Sequence, residues 1–534
     1  MKKILMLALL ALPAQAAVTA QSAAASQQPE SGRTASLRFF GSTTADLFTR
    51  ELDASFAGVL QYNFVAEAGN GFPAGFANAS LQGHPWAGTM WSRDGGTFMR
   101  ELVMRGDFRD ASLLAECLIR QVRKTPDGFY GFPRYFDHAK PGSGTELDGT
   151  ASIVIAMTLL WERLPEGDPT KDHIEQFLFQ PASPVNGFRY ALRKAPLLAG
   201  SGEFGCGDAV RLCDNVVQNN LAMLALLATA RMAGELGRPG LAREYTRLAH
   251  SLKAAMEKYL VASDGSWIWC IDPQTLRPVP AILAEQVNLG NGSQNGVASM
   301  FADVLGFTPE RSEWADNEHN EKTFERLYNT PLRRTEFGRY GIWTQFDLLA
   351  GGLLTSPSYG QGYALQTMLL YDKMAMASRA LDWLANATYK PVPEYKLHRS
   401  SPYFFYERMY SPDAVGKVRL DEGCGALNLV NVSEPLKVSR LMLGVDDSTG
   451  AYVRLIPRIP AGWQGLEARN WPVLTRRGVV RADILFTQKN GGAELSVKLA
   501  PGEQIGDLKV RLPSSHGYVW REAHDVREAR FFSQ

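Results

Sequence analysis

Apolar residues recur at every third or fourth position through most of the chain up to residue 447, which predicts a largely helical region. The clearest pair of helices covers residues 214–236 and 240–260, separated by the turn signal Gly237-Arg238-Pro239-Gly240. Two helices joined by a short turn form an αα-hairpin. We expect roughly ten to twelve helices in such hairpins. The other predicted helices are 45–62, a pair within 98–122 whose second helix is capped by Asp107, 148–163, 296–305, 317–328, the pair 362–374 and 375–389, and 425–443.

The pattern changes after residue 447, where apolar and polar residues alternate. Alternation of this kind predicts β-strands, here at 452–456, 478–486, 493–498 and 507–512. Strands that follow the helices without interleaving favour two domains over an alternating α/β sheet. We therefore expect a helical domain over residues 35–447 and a small antiparallel β domain over residues 448–534.

The start of the chain has a different character. Two lysines precede the apolar run Ile4–Leu12, and Ala14-Gln15-Ala16 follows, which is the pattern of a cleaved signal peptide over residues 1–16. Residues 17–34 are rich in Ala, Ser and Gln and are expected to form a disordered leader. No later apolar run reaches membrane-spanning length. The prediction is an exported protein, periplasmic or secreted, without membrane insertion.

Charge and cysteine content narrow the function classes. Lys plus Arg total 56 against 55 Asp plus Glu, a formal net charge of +1, which gives no reason to expect a nucleic-acid partner. Five cysteines in 534 residues are not a disulfide framework, although Cys206 and Cys213 are close enough in sequence to form one disulfide. No zinc-like spacing and no glycine-rich phosphate loop occurs, so neither a metal nor a cofactor is predicted.

The segment Met90–Gly96 carries the first candidate site, with Trp91, Arg93 and Asp94 at the start of a predicted helix. An arginine beside a carboxylate presents fixed donors and acceptors to a polyhydroxylated ligand. The Trp91 indole adds a flat apolar surface. The alternative is a helix start with one structural salt bridge, and these residues alone do not distinguish the two.

The segment Gly144–Thr150 contributes Glu146 and Asp148 immediately before or at the start of another predicted helix. Both could accept hydrogen bonds from a ligand. The alternative is a capping role, with Asp148 as the N-cap residue and both acids favoured by the helix dipole.

A glycine-rich stretch supplies the candidates for a general acid. Glu203 follows Ser201-Gly202, and Asp208 and Asp214 lie a few residues further on. A carboxylate partly shielded from water in such a loop would have the raised pKa that a general acid requires. The alternative is an exposed connector with ordinary acids.

Aromatic residues mark two further stretches. Four consecutive aromatics, Tyr403–Tyr406, end in Glu407, which is an unusual composition for a linker, and an interface loop is the alternative. Trp267 and Trp269 could stack on sugar rings, whereas the alternative is a place in the core.

The order of these motifs resembles that of the six-hairpin glycosidases, (α/α)6-barrel enzymes that include glycoside hydrolase families 15, 63 and 78. Trp91-Ser92-Arg93-Asp94 is similar to the segment with which family 15 and 63 enzymes grip the terminal sugar. Glu146–Gly149 resembles a Gln-x-Asp-Gly segment of family 15. The stretch from Tyr406 to Asp413 resembles the late loop in which these families place the catalytic base.

The tail of the chain resembles family 78 rhamnosidases at Arg458–Trp463 and Leu512-Pro513. The whole resemblance extends from about Leu81 to Pro513. Two departures are noted: the large N-terminal β domains common in these families are not expected before Trp86, and the general-acid loop around Glu203 does not match cleanly.

The resemblance implies a mainly α fold, an (α/α)6 barrel followed by a small antiparallel β domain, and an exo-acting hydrolase that inverts the configuration of a terminal, α-glucoside-like sugar. Glu203 would protonate the leaving oxygen and Glu407 would activate water, with the two carboxyl groups about 6.5–9.5 Å apart. The residues implied to hold the sugar are Trp91, Arg93, Asp94, Glu146, Asp148 and Tyr406.

Three other functions stay open at this stage. The first is an α-L-rhamnosidase-type hydrolase. The second is a polysaccharide lyase or unsaturated uronyl hydrolase, which would recruit Arg333-Arg334, His398-Arg399 and Tyr406 for a uronate. The third is a non-catalytic sugar-binding protein that uses the same aromatics.

Overall fold

The computed structural model describes most of the chain from residue 35 onward. The described residues are 35–65, 75–77, 89–124, 128–133, 135–136, 145–200, 213–268, 270–277, 302–307, 317–329, 345–347, 352–355, 359–389, 403, 405, 408–410, 419–421, 427–489 and 492–534. Ala35–Gln534 forms one compact unit, and the predicted signal peptide and leader lie outside the described residues.

Helices dominate the described chain up to residue 443. They are α1 (Thr43–Tyr62), α2 (Ser92–Arg105), α3 (Phe108–Ile119), α4 (Leu147–Arg163), α5 (Pro169–Phe179), α6 (Pro184–Leu192), α7 (Val216–Glu235), α8 (Pro239–Tyr259), α9 (Asn317–Asn329), α10 (Tyr359–Leu370), α11 (Met374–Tyr389) and α12 (Leu429–Leu443). Within the described part of the chain, none of them combines the length and apolar character needed to cross a bilayer.

The helices fall into two layers according to their burial. α4 and α7 are built from Ala, Leu, Met and Val with few charges, and nearly every residue of each is buried. α8 buries Tyr245, Leu248, Leu252 and Met256 on one face and leaves its other face in water. α2, α10 and α12 resemble α4 in burial, so these four and α7 form the inner layer.

Early turns of α2, α4, α10 and α12 contact one another. These inner helices therefore run parallel, with their N-terminal ends together. The contacts are Ser92 Oγ to Glu146 Oε2 (2.9 Å) between α2 and α4, Ser433 Oγ to Thr97 Oγ1 (2.9 Å) between α12 and α2, and Gln366 Nε2 to Glu434 Oε2 (2.6 Å) between α10 and α12. The row α10–α12–α2–α4–α7 follows from the packing of each helix on the next.

The outer helices cover this row from outside. α3 packs on α2, α5 on α4, α8 on α7 and α11 on α10, while α1 packs across α11 and α12. The predicted helical hairpins are therefore confirmed as a two-layered arc. Its closure into a ring of six hairpins stays a prediction.

Most predicted helices are confirmed with ends shifted by a few residues, but α5 and α6 were not predicted. Both begin with proline directly after a capping residue, Asp168 and Ser183, whose side chains accept backbone hydrogen bonds. That signal was present in the sequence. The helix predicted at 296–305 lies outside the described residues except for 302–305, which form turns.

Short strands line the connections between helices. They are β2 (Phe64–Val65), β3 (Gly75–Phe76), β4 (Met90–Trp91), β5 (Arg123–Lys124), β6 (Tyr130–Gly131), β7 (Tyr135–Phe136), β8 (Ala199–Gly200), β9 (Cys213–Asn215), β10 (Cys270–Ile271), β11 (Gln345–Asp347), β12 (Gly352–Thr355), β13 (Arg408–Tyr410) and β14 (Arg419–Asp421).

Longer strands form two sheets in the C-terminal region. They are β15 (Val445–Asp446), β16 (Val453–Leu455), β17 (Gly465–Thr475), β18 (Gly478–Lys489), β19 (Gly492–Leu499), β20 (Ile505–Ser514), β21 (Gly517–Val526) and β22 (Glu528–Phe532), joined by β1 (Ser36–Phe40). One sheet has the order β1-β17-β18-β19-β22 and the other β15-β16-β20-β21. Neighbouring strands are antiparallel except for the parallel pair β16 and β20, so the predicted antiparallel region is confirmed apart from that pair.

Strand β1 departs from the expected domain division. It pairs with β17, from Ser36 opposite Arg469 to Phe40 opposite Gly465. Phe39 is fully buried, with its ring centre 5.6 Å from that of Trp463. The start of the described chain is thus part of the C-terminal sheet, while the boundary at residue 447 stays a prediction.

The C-terminal ends of the inner helices meet the β region. At the end of α4, Arg163 Nη2 lies 2.9 Å from Asp447 Oδ1, and Asp447 Oδ2 accepts the backbone N–H of Leu474 at 2.7 Å. At the end of α2, the Arg105 guanidinium lies 5.6 Å from the ring centre of Trp471. The opposite, N-terminal ends of the inner helices therefore face away from the sheets.

A buried network of charges joins α2, α12 and the turn that contains Asp303. Three cations meet three carboxylates, and no member's side chain is more than 10% exposed. The members are Arg100, Glu101, Asp303, Glu434, Lys437 and Arg440. Arg440 Nη2 lies 2.9 Å from Glu101 Oε1, which ties α12 to α2. Removing one partner of such a buried pair leaves an uncompensated charge.

We expect Glu101→Gln to lower the free energy of unfolding by about 3–5 kcal/mol, because Arg100 and Arg440 lose their shared carboxylate. Urea unfolding followed by far-UV circular dichroism measures the change. The matched control is Glu257→Gln on α8, which removes an exposed pair with Lys253 and should change stability by less than about 0.5 kcal/mol. Equal effects of the two substitutions would contradict the expectation.

Candidate active site

The N-terminal ends of α2 and α4 bring together four of the predicted sugar-holding residues. Arg93 and Asp94 lie in the first turn of α2, Glu146 is the residue before α4, and Asp148 lies in its first turn. All four are buried. Trp91 is half-buried in β4, which pairs with β7 and leads directly into α2.

Three carboxylates surround the single guanidinium of this cluster, which we call the Arg93 cluster. Arg93 Nη2 lies 3.5 Å from Asp94 Oδ1, and Arg93 Nη1 lies 3.8 Å from Asp148 Oδ2. Glu146 Oε2 accepts from Ser92 Oγ at 2.9 Å and from the backbone N–H of Arg93 at 3.2 Å. The cluster is therefore held across two helices, and ionisation of all four groups would leave it net negative.

The structure corrects the capping interpretation of Glu146 and Asp148. Glu146 occupies the N-cap position of α4 but makes no side-chain capping bond, and Asp148 lies one residue inside the helix. The Glu146 side chain reaches α2 instead. The first turn of α4 thus exposes its acids to the neighbouring helix and to the Arg93 cluster.

Glycines let the two helices approach closely enough for these contacts. A Cβ at Gly96 would lie 2.8 Å from the backbone nitrogen of Ile153. A Cβ at Gly149 would overlap Ser92 Oγ and lie 2.6 Å from the backbone nitrogen of Arg93. The second glycine of Gly95-Gly96 and the glycine after Asp148 are therefore required by packing between helix backbones.

Burial changes the protonation of Glu146. Burial and the neighbouring Asp148 raise the pKa of Glu146 to about 8, against the opposing effects of Arg93 and the hydrogen bond from Ser92. At neutral pH this carboxyl therefore holds a proton. Its other oxygen, Oε1, is buried and makes no hydrogen bond within the described part of the chain. A protonated carboxyl in that position can donate a hydrogen bond as well as accept one.

Tyr363 lies between the Arg93 cluster and the buried charge network. It is buried on α10, and burial together with Glu434 raises its pKa well above the usual value, while Arg93 and Arg100 oppose the shift. No motif in the sequence pointed to Tyr363. The signal available was a tyrosine near the start of a helix without charged residues.

The general-acid and general-base candidates are only partly placed. Glu203, Asp208, Tyr406 and Glu407 lie outside the described residues, and so does Cys206 of the predicted disulfide. Their roles stay predictions. Asp214 belongs to β9, which pairs with β8 and β10 and runs into α7. The backbone of Asp214 therefore lies at the N-terminal end of an inner helix.

The aromatic stretch before Glu407 is fixed to α1. Ser55 Oγ donates to the backbone carbonyl of Tyr403 at 3.2 Å and accepts the backbone N–H of Phe405 at 3.3 Å. Both Ser55 and Phe405 are fully buried. The chain two residues before Glu407 is thus anchored in the core, which the sequence did not indicate.

The core alternative is confirmed for Trp267. Its indole is buried, Nε1 donates to Asn320 Oδ1 at 2.8 Å, and its backbone N–H donates to Thr323 Oγ1 at 2.7 Å. An indole whose polar atom is used in this way is part of the packing against α9. Trp269 lies outside the described residues.

Comparisons with known proteins find likeness in fold. No protein-family model and no curated protein matches the chain. An α-L-rhamnosidase from Dictyoglumus thermophilum superposes with a TM-score of 0.58 at 10% identity, over 93% of this chain and 50% of that chain. A family 78 rhamnosidase of Bacillus sp. GL1 gives 0.55 at 12%, over 90% and 43%. A glucoamylase from Saccharomycopsis fibuligera gives 0.51 at 12%, over 75% and 96%.

The chain therefore shares its fold with two rhamnosidases and a glucoamylase. This chain spans half or less of the length of the two rhamnosidases it resembles. The likeness to the first covers 93% of this chain, and the uncovered remainder is smaller than the C-terminal β region, so the likeness extends into that region. At these identities the likeness concerns the fold.

The packing at Gly149 gives a direct test. We expect Gly149→Ala to lower stability by about 2–4 kcal/mol, because its methyl group would force α2 and α4 apart. Gly234→Ala on α7 is the matched control, since a Cβ there meets nothing within 4 Å, and it should raise stability by up to about 1 kcal/mol. Differential scanning fluorimetry measures both. Loss of stability in the control alone would refute the packing argument.

The raised pKa of Glu146 predicts a pH dependence. The unfolded chain loses this proton near pH 4.5, whereas the folded protein keeps it until about pH 8, so the contribution to stability is greatest at low pH and falls as pH rises between these values. We expect Glu146→Gln to gain about 1–3 kcal/mol over wild type between pH 5 and 8. Urea unfolding at pH 5, 6.5 and 8 measures the difference. Parallel profiles would show that Glu146 is ionised in the folded state.

Proposed function

We propose that the protein is an exported, exo-acting glycoside hydrolase, built as an (α/α)6 barrel, that removes a terminal sugar with inversion. The observation that carries the proposal is the Arg93 cluster, buried at the shared N-terminal end of parallel helices in a six-hairpin fold. The signal-peptide pattern over residues 1–16 supports export to the periplasm or the medium.

The Arg93 cluster suits a polyhydroxylated ring. The guanidinium donates in a fixed fork, the carboxylates of Asp94 and Asp148 accept from hydroxyls, and protonated Glu146 can do either. Because the four side chains are buried, these hydrogen bonds would form away from competing water. Trp91, half-buried beside them, offers an apolar face to the C–H edges of the ring.

The exo-acting mode is supported by the buried side chains between the inner helices, deeper than the Arg93 cluster. Tyr363 and the buried charge network are packed between α2, α10 and α12 at a greater depth than Arg93. Buried side chains at that depth would stop a chain that enters from the N-terminal ends of these helices. A terminal sugar would enter and stop at the Arg93 cluster.

The chemistry would use two carboxyl groups. Glu203, or in its place Asp208 or Asp214, would protonate the glycosidic oxygen as the bond from the anomeric carbon to that oxygen breaks. Glu407 would take a proton from the water that attacks the anomeric carbon from the opposite face. Ser55 anchors the backbone of Tyr403 and Phe405, which precede Glu407 in the sequence. The sugar leaves with inverted configuration and both carboxyl groups exchange their proton with solvent.

Two sugars are favoured by different observations. The Arg93–Asp94 pair resembles the grip of glucoside-cleaving enzymes, which favours an α-glucoside. The fold likeness to rhamnosidases extends into the β region, which favours an α-L-rhamnoside. A uronate is disfavoured, because the carboxylates of Asp94 and Asp148 already lie against the Arg93 guanidinium and would repel its charge.

A panel of aryl glycosides and disaccharides, with proton NMR of the first product anomer, tests the proposal. We expect hydrolysis of an α-glucoside or α-L-rhamnoside with inverted product. A retained product would overturn the mechanism, and an ultraviolet-absorbing unsaturated product would identify a lyase. Binding without turnover would identify a sugar-binding protein.

Substitutions test which carboxyl groups act as the general acid and the general base. Glu203→Gln and Glu407→Gln should each lower kcat roughly 10²–10⁴-fold, and Glu257→Gln, on the exposed face of α8, should not. A dinitrophenyl glycoside, whose leaving group needs no proton, should restore turnover to the general-acid variant alone. If Glu203→Gln is not restored, Asp208→Asn and Asp214→Asn are compared in the same way. Near-wild-type turnover by both glutamate variants would refute these roles.

Asp94→Ala should act differently from the catalytic variants. Because Asp94 positions the sugar and does not transfer a proton, KM should rise and kcat should fall together, with kcat/KM lower by roughly 10–100-fold. The dinitrophenyl glycoside should not restore it. An effect on kcat alone would indicate a catalytic role for Asp94.

A further inference from the structure

The four-stranded sheet carries an exposed surface that the proposed pocket does not use. Tyr518 and Trp520 on β21 are 42% and 43% exposed, and β21 is the outermost strand of that sheet. Side chains two residues apart lie on the same face of a strand, about 7 Å from each other. We call these two side chains the aromatic face. The buried Leu508 and Val510 of the neighbouring β20 lie on the opposite face.

Tyr518 is held in place from beneath. The Arg511 guanidinium lies 4.2 Å from the centre of its ring, and Asp372 binds Arg511 through both carboxylate oxygens at 2.9 and 2.7 Å. Asp372 also binds Arg458 at 3.2 Å. The ring therefore rests on a largely buried ion triad, and a ligand would not need to order it.

The turn between α10 and α11 places the Asp372 carboxylate against the two arginines. The φ of Asp372 is +53°. Its backbone N–H donates to the carbonyl of Leu369 and that of Lys373 to Met368, so this is a left-handed helix end that fixes where the carboxylate lies.

The charges beside the aromatic face are already paired. Lys509 lies 3.0 Å from Glu522, and His524 lies 2.6 Å from Asp507, each pair directly opposite across β20 and β21. A charged polymer would gain little from a surface balanced in this way. Flat aromatic rings bordered by paired polar groups instead match a neutral ligand with apolar faces and hydroxyl edges, which is the chemistry of an uncharged oligosaccharide.

We propose that Tyr518 and Trp520 bind a neutral oligosaccharide segment at a site remote from the pocket. Asp372 follows the C-terminal end of α10, whereas the Arg93 cluster lies at the N-terminal ends of the inner helices. The proposal rests on the proposed function in that both sites would engage the same class of carbohydrate. A chain held on the β region would raise the local concentration of chain ends near the pocket.

Native gel electrophoresis of the full chain in gels containing soluble starch, dextran or arabinogalactan tests this surface, with polygalacturonate as the anionic contrast. We expect at least one neutral polysaccharide to retard the wild type, and Trp520→Ala to weaken the apparent affinity roughly tenfold. Tyr518→Ala should weaken it as well. Hydrolysis of a small aryl glycoside should stay within about twofold in both variants.

Phe532→Ala is the matched control, because Phe532 is 52% exposed on β22, the edge of the other sheet. It should leave retardation unchanged. The proposal is overturned if no neutral polysaccharide retards the wild type, if polygalacturonate alone does, or if Phe532→Ala and Trp520→Ala act equally. It is also overturned if light scattering shows a dimer that Trp520→Ala dissociates, since the surface would then bind a second copy.

The hydrolase function and the oligosaccharide-binding surface can be tested independently of each other. Retardation that depends on Trp520, without hydrolysis of any glycoside, supports the surface while the enzymatic function fails. Hydrolysis without Trp520-dependent retardation overturns the surface alone.

Discussion

The close approach of α2 and α4 is the constraint on which the candidate site depends. Gly149 lies against Ser92, and Gly96 lies against Ile153, so the two helix backbones come nearly into contact. Only at this separation can the Glu146 side chain accept hydrogen bonds from the first turn of α2. Side chains mounted on two packed helices are held more firmly than side chains on a loop.

The same approach excludes water from a group of charges. Four ionisable side chains share a small buried volume, and a lower effective dielectric strengthens every interaction between them. One consequence is the raised pKa of Glu146. Another is that the pKa of Tyr363 is lowered by Arg93 and raised by Glu434 of the buried charge network. Ionisable groups in the interior of this protein therefore cannot be considered one at a time.

The sequence was informative where a local pattern decides the structure. Helical periodicity predicted most helices, and the two motifs that supplied Arg93 and Glu146 do lie side by side. The capping alternative for Asp148 was wrong, because α4 begins at Leu147 and Glu146 occupies the N-cap position. The core position of Trp267 is confirmed, and its partners belong to α9, a helix that comes later in the chain.

Other features had no local signal. Ser55 is one small polar residue on the buried side of α1, and its role is visible only because it holds the distant backbone of Tyr403 and Phe405. The short strand β1 offers too little sequence to distinguish a strand from a loop. The fold likeness to solved structures, at 10–12% identity, likewise rests on packing that sequence comparison did not detect.

The pairing of β1 with β17 has a consequence for how the chain acquires its structure. During synthesis, β1 leaves the ribosome before its partner β17, which follows all twelve described helices in the chain. The two strands pair from Ser36 opposite Arg469 to Phe40 opposite Gly465. Contacts between such distant residues form late, because the intervening loop must first be closed. The side chains of Leu37 and Phe39 therefore become buried only once the C-terminal region has folded. Both ends of the described protein must be present before either is finished, and the β region cannot be removed as an independent module.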